Sequence, residues 1–381
     1  MVVRVRSQSF AAAVGSRYND FNGTTAYDSL ASDISTCTDT VGNYPNDNAL
    51  TIERTLRYAK GSVSGHRPGG IYTFSDYATG SQQFPAHLSL PTLPNDTIVS
   101  TDAVAKHNPS RAIPSLPVFL GELATLPFRL FESGLRQSVD GFHPRRRKRP
   151  GGSVVEFNFG WEPLFKDLID MIKFQEHVNN RVKELTSLHS KGGLKRSTKK
   201  RARTDIASSL SGTLTIHSTE GTVQAYNSTT TKRKQWVSTR WKPDVAELNA
   251  VPDATELARR ARLAVHGWNL SPADAWELVP WSWFADYFFN IGDFLYATRN
   301  SVGGHCESIC IMEHTRTEQR HSITAKPAYF SVVPATTVRE TKRRRVSAGI
   351  GLSAYSTPLI GTKQLLNLAS ISLSHSGLKG D

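Results

Sequence analysis

The sequence predicts an α+β protein: an elongated body with a mostly antiparallel β-sheet region and an α-helical bundle, each assembled from discontinuous segments. Three observations predict it. The first 150 residues are short alternating runs broken by Gly- and Pro-bearing turns, the pattern of strands and hairpins. Two later stretches place apolar residues at helical spacing, the mark of helices with one buried face. Alternation returns between and after those stretches, so the helices read as insertions into β sequence.

Composition narrows the class. A chain of 381 residues has room for two domains, and 38% hydrophobic with 21% charged residues describes a folded protein with much polar surface. Lys and Arg outnumber Asp and Glu by 46 to 33, a net charge of +13. That excess favours a polyanionic partner: nucleic acid, anionic lipid or an acidic surface. Cys37, Cys306 and Cys310 are too few, and odd in number, for a disulfide framework, which points to a reducing site of synthesis. The apolar patch Phe10–Val14 near the start is too short for the core of an export signal.

In chain order, Thr51–Tyr58 and Gly70–Tyr77 read as strands separated by turn clusters such as NYPND (43–47) and RPGG (67–70). PTLPND (91–96) and Pro109, Pro114 and Pro117 predict loop or edge structure. HPRRRKRPGG (143–152) reads as an exposed boundary. From Trp161 to Ser190, Trp161, Phe165, Leu168, Ile172, Val182 and Leu185 share one helical face, predicting a helix of about 40 Å at 1.5 Å per residue. Pro163 falls in its first turn and Lys191-Gly192-Gly193 stops it. Residues 209–241 predict a hairpin turning near Thr219–Gly221 and a further strand. Asp253 with Glu256 starts a helix that runs to Gly267. Ser271-Pro272 with Asp274 starts the next. Strand alternation from Cys306 to about Val346 and a short helix within 358–373 complete the order.

The helix after Ser271 contains the greasiest stretch, WELVPWSWFADYFFNIGDF (276–294), with Trp276, Trp281 and Trp283 within eight residues. A membrane-spanning helix needs roughly 20 predominantly apolar residues, whereas Glu277, Pro280, Asp286, Asn290 and Asp293 interrupt this one. On a single helix, Ser282, Asp286, Asn290 and Asp293 would form a polar stripe toward water or polar partners. The segment therefore reads as a buried bundle helix, with no membrane span.

Candidate chemistry is concentrated in the basic clusters. Arg145, Arg146, Arg147, Lys148 and Arg149 form one. Lys195, Arg196, Lys199, Lys200, Arg201 and Arg203 form a second, Lys232, Arg233 and Lys234 a third, and Arg339–Arg345 a fourth. Trp236 and Trp241 lie near the third. Cations that displace condensed counterions beside an aromatic face able to stack a base suit RNA or DNA. Solvated loops are the duller reading, and four separate clusters outweigh it. His305, Cys306, Cys310 and His314 do not make a metal site, because in a strand Cys306 to His314 would span about 27 Å. Asp286 and Asp293, about 10.5 Å apart in helical rise, are too far separated for a retaining glycosidase. Phosphate-loop, nucleophile-elbow, zinc-protease and dinucleotide-binding motifs are absent from the sequence. No catalytic residue, metal or cofactor is expected.

Two segments together are recognisable. FNFGWEPLFKDLIDMI (157–172) and NLSPADAWELVPWSWFADYFFNIGDFL (269–295) resemble signature helices of the maturation proteins of small positive-strand RNA bacteriophages, the leviviruses. Trp161, Pro163, Leu164, Asp167 and Leu168 carry the first likeness. Pro272, Trp276, Glu277, Leu278, Pro280, Trp281, Ser282, Trp283, Asp286, Asn290, Gly292 and Asp293 carry the second. The direct likeness covers roughly the C-terminal half.

That resemblance implies a virion protein made in the host cytoplasm, built in low copy into the coat protein shell. It also implies binding to phage genomic single-stranded RNA, including structure near the 3′ end, and attachment to a bacterial pilus for genome delivery. The expected β-rich region (1–152, 204–245 and 303–350) takes the pilus and the capsid exterior; the expected helical bundle (157–192, 253–300 and 358–373) takes RNA and the interior. Trp161, Pro163, Leu164, Trp276, Glu277, Pro280, Trp281, Trp283, Asp286 and Asp293 would then form structural core. Two alternatives stay open: a non-viral basic α+β RNA-binding module, or a maturation protein that also blocks cell-wall synthesis.

Overall fold

The structure is a computed structural model that describes residues 2–42, 47–69, 72–78, 84–113, 173–215, 223–246, 252–267, 271–279, 282–355 and 365. Arg145 to Arg149, Trp161, Pro163, Leu164, Pro280, Trp281, the side chain of Trp283, the turn at 219–221 and most of 358–373 lie outside that description. The chain divides into two compact units: one of Met1–Leu93, Ser197–Ser238 and Cys310–Ser347, the other of Pro94–Arg196, Thr239–Ile309 and Ala348–Asp381. The architecture is α+β with antiparallel sheets.

The strands are β1 (Val2–Phe10), β2 (Ser16–Asn19), β3 (Thr24–Tyr27), β4 (Asp33–Val41), β5 (Leu50–Ala59), β6 (Ser62–His66) and β7 (Tyr72–Ala78), then β8 (Leu194–Ser197), β9 (Arg203–Thr215), β10 (Gln224–Pro243), β11 (Gly304–Ala325), β12 (Ser331–Val333) and β13 (Thr336–Val346). Eight of them form one sheet in the order β1-β4-β5-β13-β11-β10-β8, with β9 paired to β10. The other five order as β12-β6-β7-β2-β3.

The smaller sheet packs Phe74 edge-on to Phe330, ring centroids 5.4 Å apart, with Val63 and Val223 beside them. The buried Asp28 carboxylate accepts the Gly15 and Ala78 backbone N–H groups, each at 2.7 Å, and lies 3.4 Å from Lys60 Nζ. A buried carboxylate needs such donors and such a cation to offset its desolvation. Gly65, at φ +143°, is held so close that a Cβ would fall 2.2 Å from the Tyr329 carbonyl oxygen. No L side chain fits there.

In the larger sheet, register sorts the side chains by face. Leu50 pairs with Arg344 and Arg344 with Met312, while Ile52 pairs with Lys342 and Lys342 with His314. Because successive residues of a strand alternate faces, these six share one side. Threonines of the opposite parity contact the 84–93 segment: His87 Nδ1 is 2.7 Å from Thr317 Oγ1, its Nε2 is 3.0 Å from Thr341 Oγ1, and Thr231 Oγ1 accepts the Leu88 N–H. The two sheet faces thus have different fates, one lidded by chain and one carrying cations.

In the helical unit, α1 (Asp96–His107), α2 (Phe174–Ser190), α3 (Ala254–His266), α4 (Pro272–Glu277), α5 (Ser282–Ala285) and α6 (Ile291–Thr298) are described. Helix α1 corrects the loop reading of the 91–117 stretch. Asn95 caps it by accepting the Thr97 N–H at 2.9 Å, Asp96 stands in its first turn, and Lys106 stands in its last; all three favour a helix there. The described part of the long helix, α2, ends at Ser190 as read, with Gly192 at φ +62°. Its buried stripe is Val178, Arg181, Leu185 and Leu188, and Val182 is only half-buried. Phe174 stacks on His266 of α3 at 4.0 Å. Asp253 caps α3 by accepting the Glu256 N–H at 2.7 Å, and Gly267 ends it at φ +66°.

The largest correction concerns the Trp-rich segment. It is not one helix but three short ones, α4, α5 and α6. The expected polar stripe is therefore not a stripe, and its members turn inward. Ser282 and Asn290 are buried, whereas Phe284 and Phe289 are 41% and 44% exposed. Backbone groups freed at the breaks need partners, and the polar side chains provide them. Asp286 accepts the Gly292 N–H at 3.0 Å and the Trp276 indole N–H at 3.2 Å. Asn290 accepts the Ser353 N–H at 2.6 Å and donates to the Gly351 carbonyl at 2.9 Å. Glu277 accepts the Tyr296 hydroxyl, and burial, reinforced by the Glu277 charge, pushes the phenol pKa far up. Ser271 and Asp274 form the reciprocal capping box at the start of α4. Asp274 also meets Arg299 at 3.1 Å, both nearly without solvent exposure. Among the described residues no helix is long and apolar enough to cross a membrane.

Candidate nucleic-acid interface

The basic clusters do not survive folding as equals. Asp205 neutralises two of their members, with Arg203 Nε at 3.3 Å and Arg233 Nη2 at 2.7 Å. Its pKa falls, the pull of these guanidiniums exceeding the opposing effect of burial. Arg196 pairs with Glu184 and donates to the His107 carbonyl at 3.2 Å. Burial and the Arg196 charge push the His107 imidazole down to about 4, so it stays neutral. Arg203, Arg233 and Arg196 are therefore structural cations.

Lys195, Lys199, Lys200, Arg201, Lys232 and Lys234 are exposed and meet no carboxylate among the described residues. Two of them, Lys199 and Lys234, line a cleft of about 460 Å³ in the β-rich unit. Lys199 stands on a 3-10 turn (Thr198–Arg201) capped by Ser197. That turn is held to β10 through the Thr198 hydroxyl, which accepts the Val237 N–H at 2.9 Å. The Lys199 ammonium reaches to 5.7 Å from the centroid of the Trp236 ring, within cation–π range. Lys234 and Trp236 alternate along β10 on one face.

Strands far away in sequence complete the cleft. Lys342 and Arg344 of β13, Met312 and His314 of β11, and Leu50 and Ile52 of β5 line it. Arg344 Nε donates to the Asn48 carbonyl at 2.6 Å and makes no ion pair among the described residues. Lys342 lies 3.4 Å from Glu340, which is also bonded to His314 at 2.7 Å. Glu313 is paired with Arg345 at 3.1 Å. The result is an apolar floor, an aromatic wall and a rim on which, among the described residues, unpaired cations outnumber unpaired anions.

Among the described residues no group of His, Cys, Asp and Glu is placed to hold a metal ion. Strand β11 carries Cys306 and Cys310, and burial raises the Cys306 thiol to about 11. Asp286 serves the α4–α6 backbone, accepting the Gly292 N–H and the Trp276 indole N–H. Asp293 is half-buried, and that desolvation, with the nearby Asp102 charge, pushes its carboxyl up to about 6.

A family model described as phage maturation protein matches residues 133–356, which span the Trp-rich segment and most of the cleft residues. The chain belongs to the phage maturation protein family. No curated protein matches the chain. As a member of that family, this maturation protein is a virion component of a structural kind. The matched stretch includes Lys199, Lys234, Trp236, His314, Lys342 and Arg344, while Leu50 and Ile52 lie before it.

Sequence reasoning found Lys199, Lys234 and the nearness of Trp236. It also noted the Arg339–Arg345 run, though not that register would aim Lys342 and Arg344 one way. His314 stood out only as a rejected metal ligand, and Met312, Leu50 and Ile52 carried no signal for the cleft, because nothing local reports which strands become neighbours.

Proposed function

We propose that this maturation protein binds the phage genomic RNA, sits in the coat shell in low copy, and attaches the particle to a host pilus for genome delivery. The observation that carries the RNA part is the cleft around Trp236, where Lys199, Lys234 and Arg344, which meet no carboxylate among the described residues, line the same cleft as the indole ring. Phosphates gain most from cations that are not already neutralised. Lys195, Lys200, Arg201 and Lys232, also exposed and unpaired among the described residues, extend the same reading. Arg145 to Arg149 are proposed as further RNA contacts on their sequence alone. Pilus contact falls to the N-terminal strands, where β1 is exposed along all nine of its residues.

Purified full-length protein is titrated with its own genome's 3′-terminal RNA and with a shuffled RNA across a salt series. Preference for the native hairpins that persists at moderate salt supports genome recognition. Failure to bind either RNA at moderate salt overturns the RNA part of the proposal. Pilus attachment is tested apart from it, by adsorption of particles to piliated and pilus-free cells; equal adsorption to both overturns that part.

A further inference from the structure

We infer that the cleft beside Trp236 receives an unpaired nucleobase, so that this protein engages a single-stranded stretch or loop of RNA rather than the outside of a duplex. The inference rests on the RNA-binding reading and specifies its mode.

The chemistry of the lining decides. A site for phosphate alone needs cations and hydrogen-bond donors, yet Leu50, Ile52 and Met312 give this cleft an apolar floor. An apolar floor beside an indole ring suits the flat face of a base. The volume, about 460 Å³, falls in the range of small-molecule sites. In A-form RNA the bases are stacked inside, and duplex is read through its backbone and shallow groove. A concave apolar site reaches none of that surface. Only a base swung out of the stack, or one never paired, can enter it.

The rim supplies what the base's own backbone requires. Lys199 and Lys234 stand on the Trp236 side and Lys342 and Arg344 on the opposite strand. Phosphates flanking an inserted base would meet cations on both sides. Lys199 lies near the long limit of a cation–π contact with Trp236, so it can turn to a phosphate while a base takes the ring. An acidic protein segment would satisfy the rim, but it would leave the indole and the apolar floor without a flat partner.

The test compares full-length wild type, W236L and W236F for binding to a short oligouridylate and to a blunt RNA duplex. Melting temperatures confirm that each variant folds. The expected result is that W236L weakens oligouridylate binding about tenfold, as loss of one base–aromatic stack does. Duplex binding should stay within about twofold, and W236F should retain most of the single-strand affinity. In parallel, 5-iodouridine placed in the oligonucleotide should photocrosslink to the peptide containing Trp236. If W236L leaves both RNAs equally well bound and the crosslink maps elsewhere, the base site is overturned while RNA binding stands. If a polyglutamate peptide displaces oligouridylate and W236L weakens both alike, the cleft is an acidic-peptide site and the inference fails. If wild type binds neither RNA, the RNA-binding reading itself falls.

Discussion

Two neighbouring cations should behave differently when removed, although composition treats them alike. Lys199 meets no carboxylate among the described residues and faces the cleft, whereas Arg203 is held 3.3 Å from Asp205. Each cation that neutralises a phosphate of single-stranded RNA releases condensed counterion and contributes about 0.7 to the slope of log affinity against log salt. K199A should therefore lower that slope by about 0.7, and K199A/K234A by about 1.4. Over a fourfold rise in salt, the double variant should lose about sevenfold less affinity than wild type loses. R203A should move the slope by less than half of the K199A change, since its charge is already balanced by Asp205. The assay is fluorescence anisotropy of a labelled oligonucleotide at four salt concentrations, with thermal melting to confirm folding. Equal slope changes for K199A and R203A would refute the reasoning that ion pairing decides which cations reach RNA.

Three further predictions concern the helical unit. D274A should destabilise by roughly 3–5 kcal/mol, because it takes the carboxylate away from the buried Arg299 guanidinium and removes the Asp274 half of the α4 capping box; a loss under about 1 kcal/mol in urea melts would show that the pair is not buried in solution. D253A should cost about 1 kcal/mol through loss of the α3 cap, read from the same melts. Asp293 supplies a pH dependence. Its carboxyl is raised from 3.8 to about 6 in the fold, so between those values the folded state binds more protons than the unfolded one. Stability from this group is therefore full below its unfolded pKa and is lost as pH rises through about 6. D293N should gain up to about 3 kcal/mol at pH 7 and lose that advantage below pH 4; a gain independent of pH would assign the effect to packing instead.

Local signals were legible wherever a side chain acts on its own backbone. Asp253, Ser271, Asp274 and Gly267 announce helix ends because a cap is a short-range hydrogen bond or a short-range φ requirement. The strand character of residues 306–325 followed from alternation. Helix α1 was misread because prolines at 91, 94 and 109 outweighed the capping residues between them. The cleft was half legible. Lys199, Lys234 and Trp236 are close in sequence, but the pairing of β5, β13 and β11 that adds Leu50, Arg344 and Met312 is non-local. Ion pairing was equally invisible: Asp205 looks like any exposed acid until β9 and β10 set it beside Arg233.

The Trp-rich segment shows why hydrophobicity alone misassigned its polar residues. A continuous helix satisfies its own backbone, and its acids are then free to face water. Once the helix breaks into α4, α5 and α6, several N–H and C=O groups lose their partners. Asp286 and Asn290 then become necessary inside: one gathers the Gly292 and Trp276 N–H groups, the other ties the break to Gly351 and Ser353. Solvent exposure of Phe284 and Phe289 is the converse of the same exchange. An acid placed among tryptophans is in this protein a knot for a broken helix rather than a polar face. D286A should therefore destabilise more than F284A does, although hydrophobic scales rank the two the other way. Asp286 leaves two donors unpaired when removed, at about 1–3 kcal/mol each, while Phe284 is 41% exposed and gives up only part of its burial. Urea melts of the two variants decide it, and a larger loss for F284A would return the segment to the simple amphipathic picture.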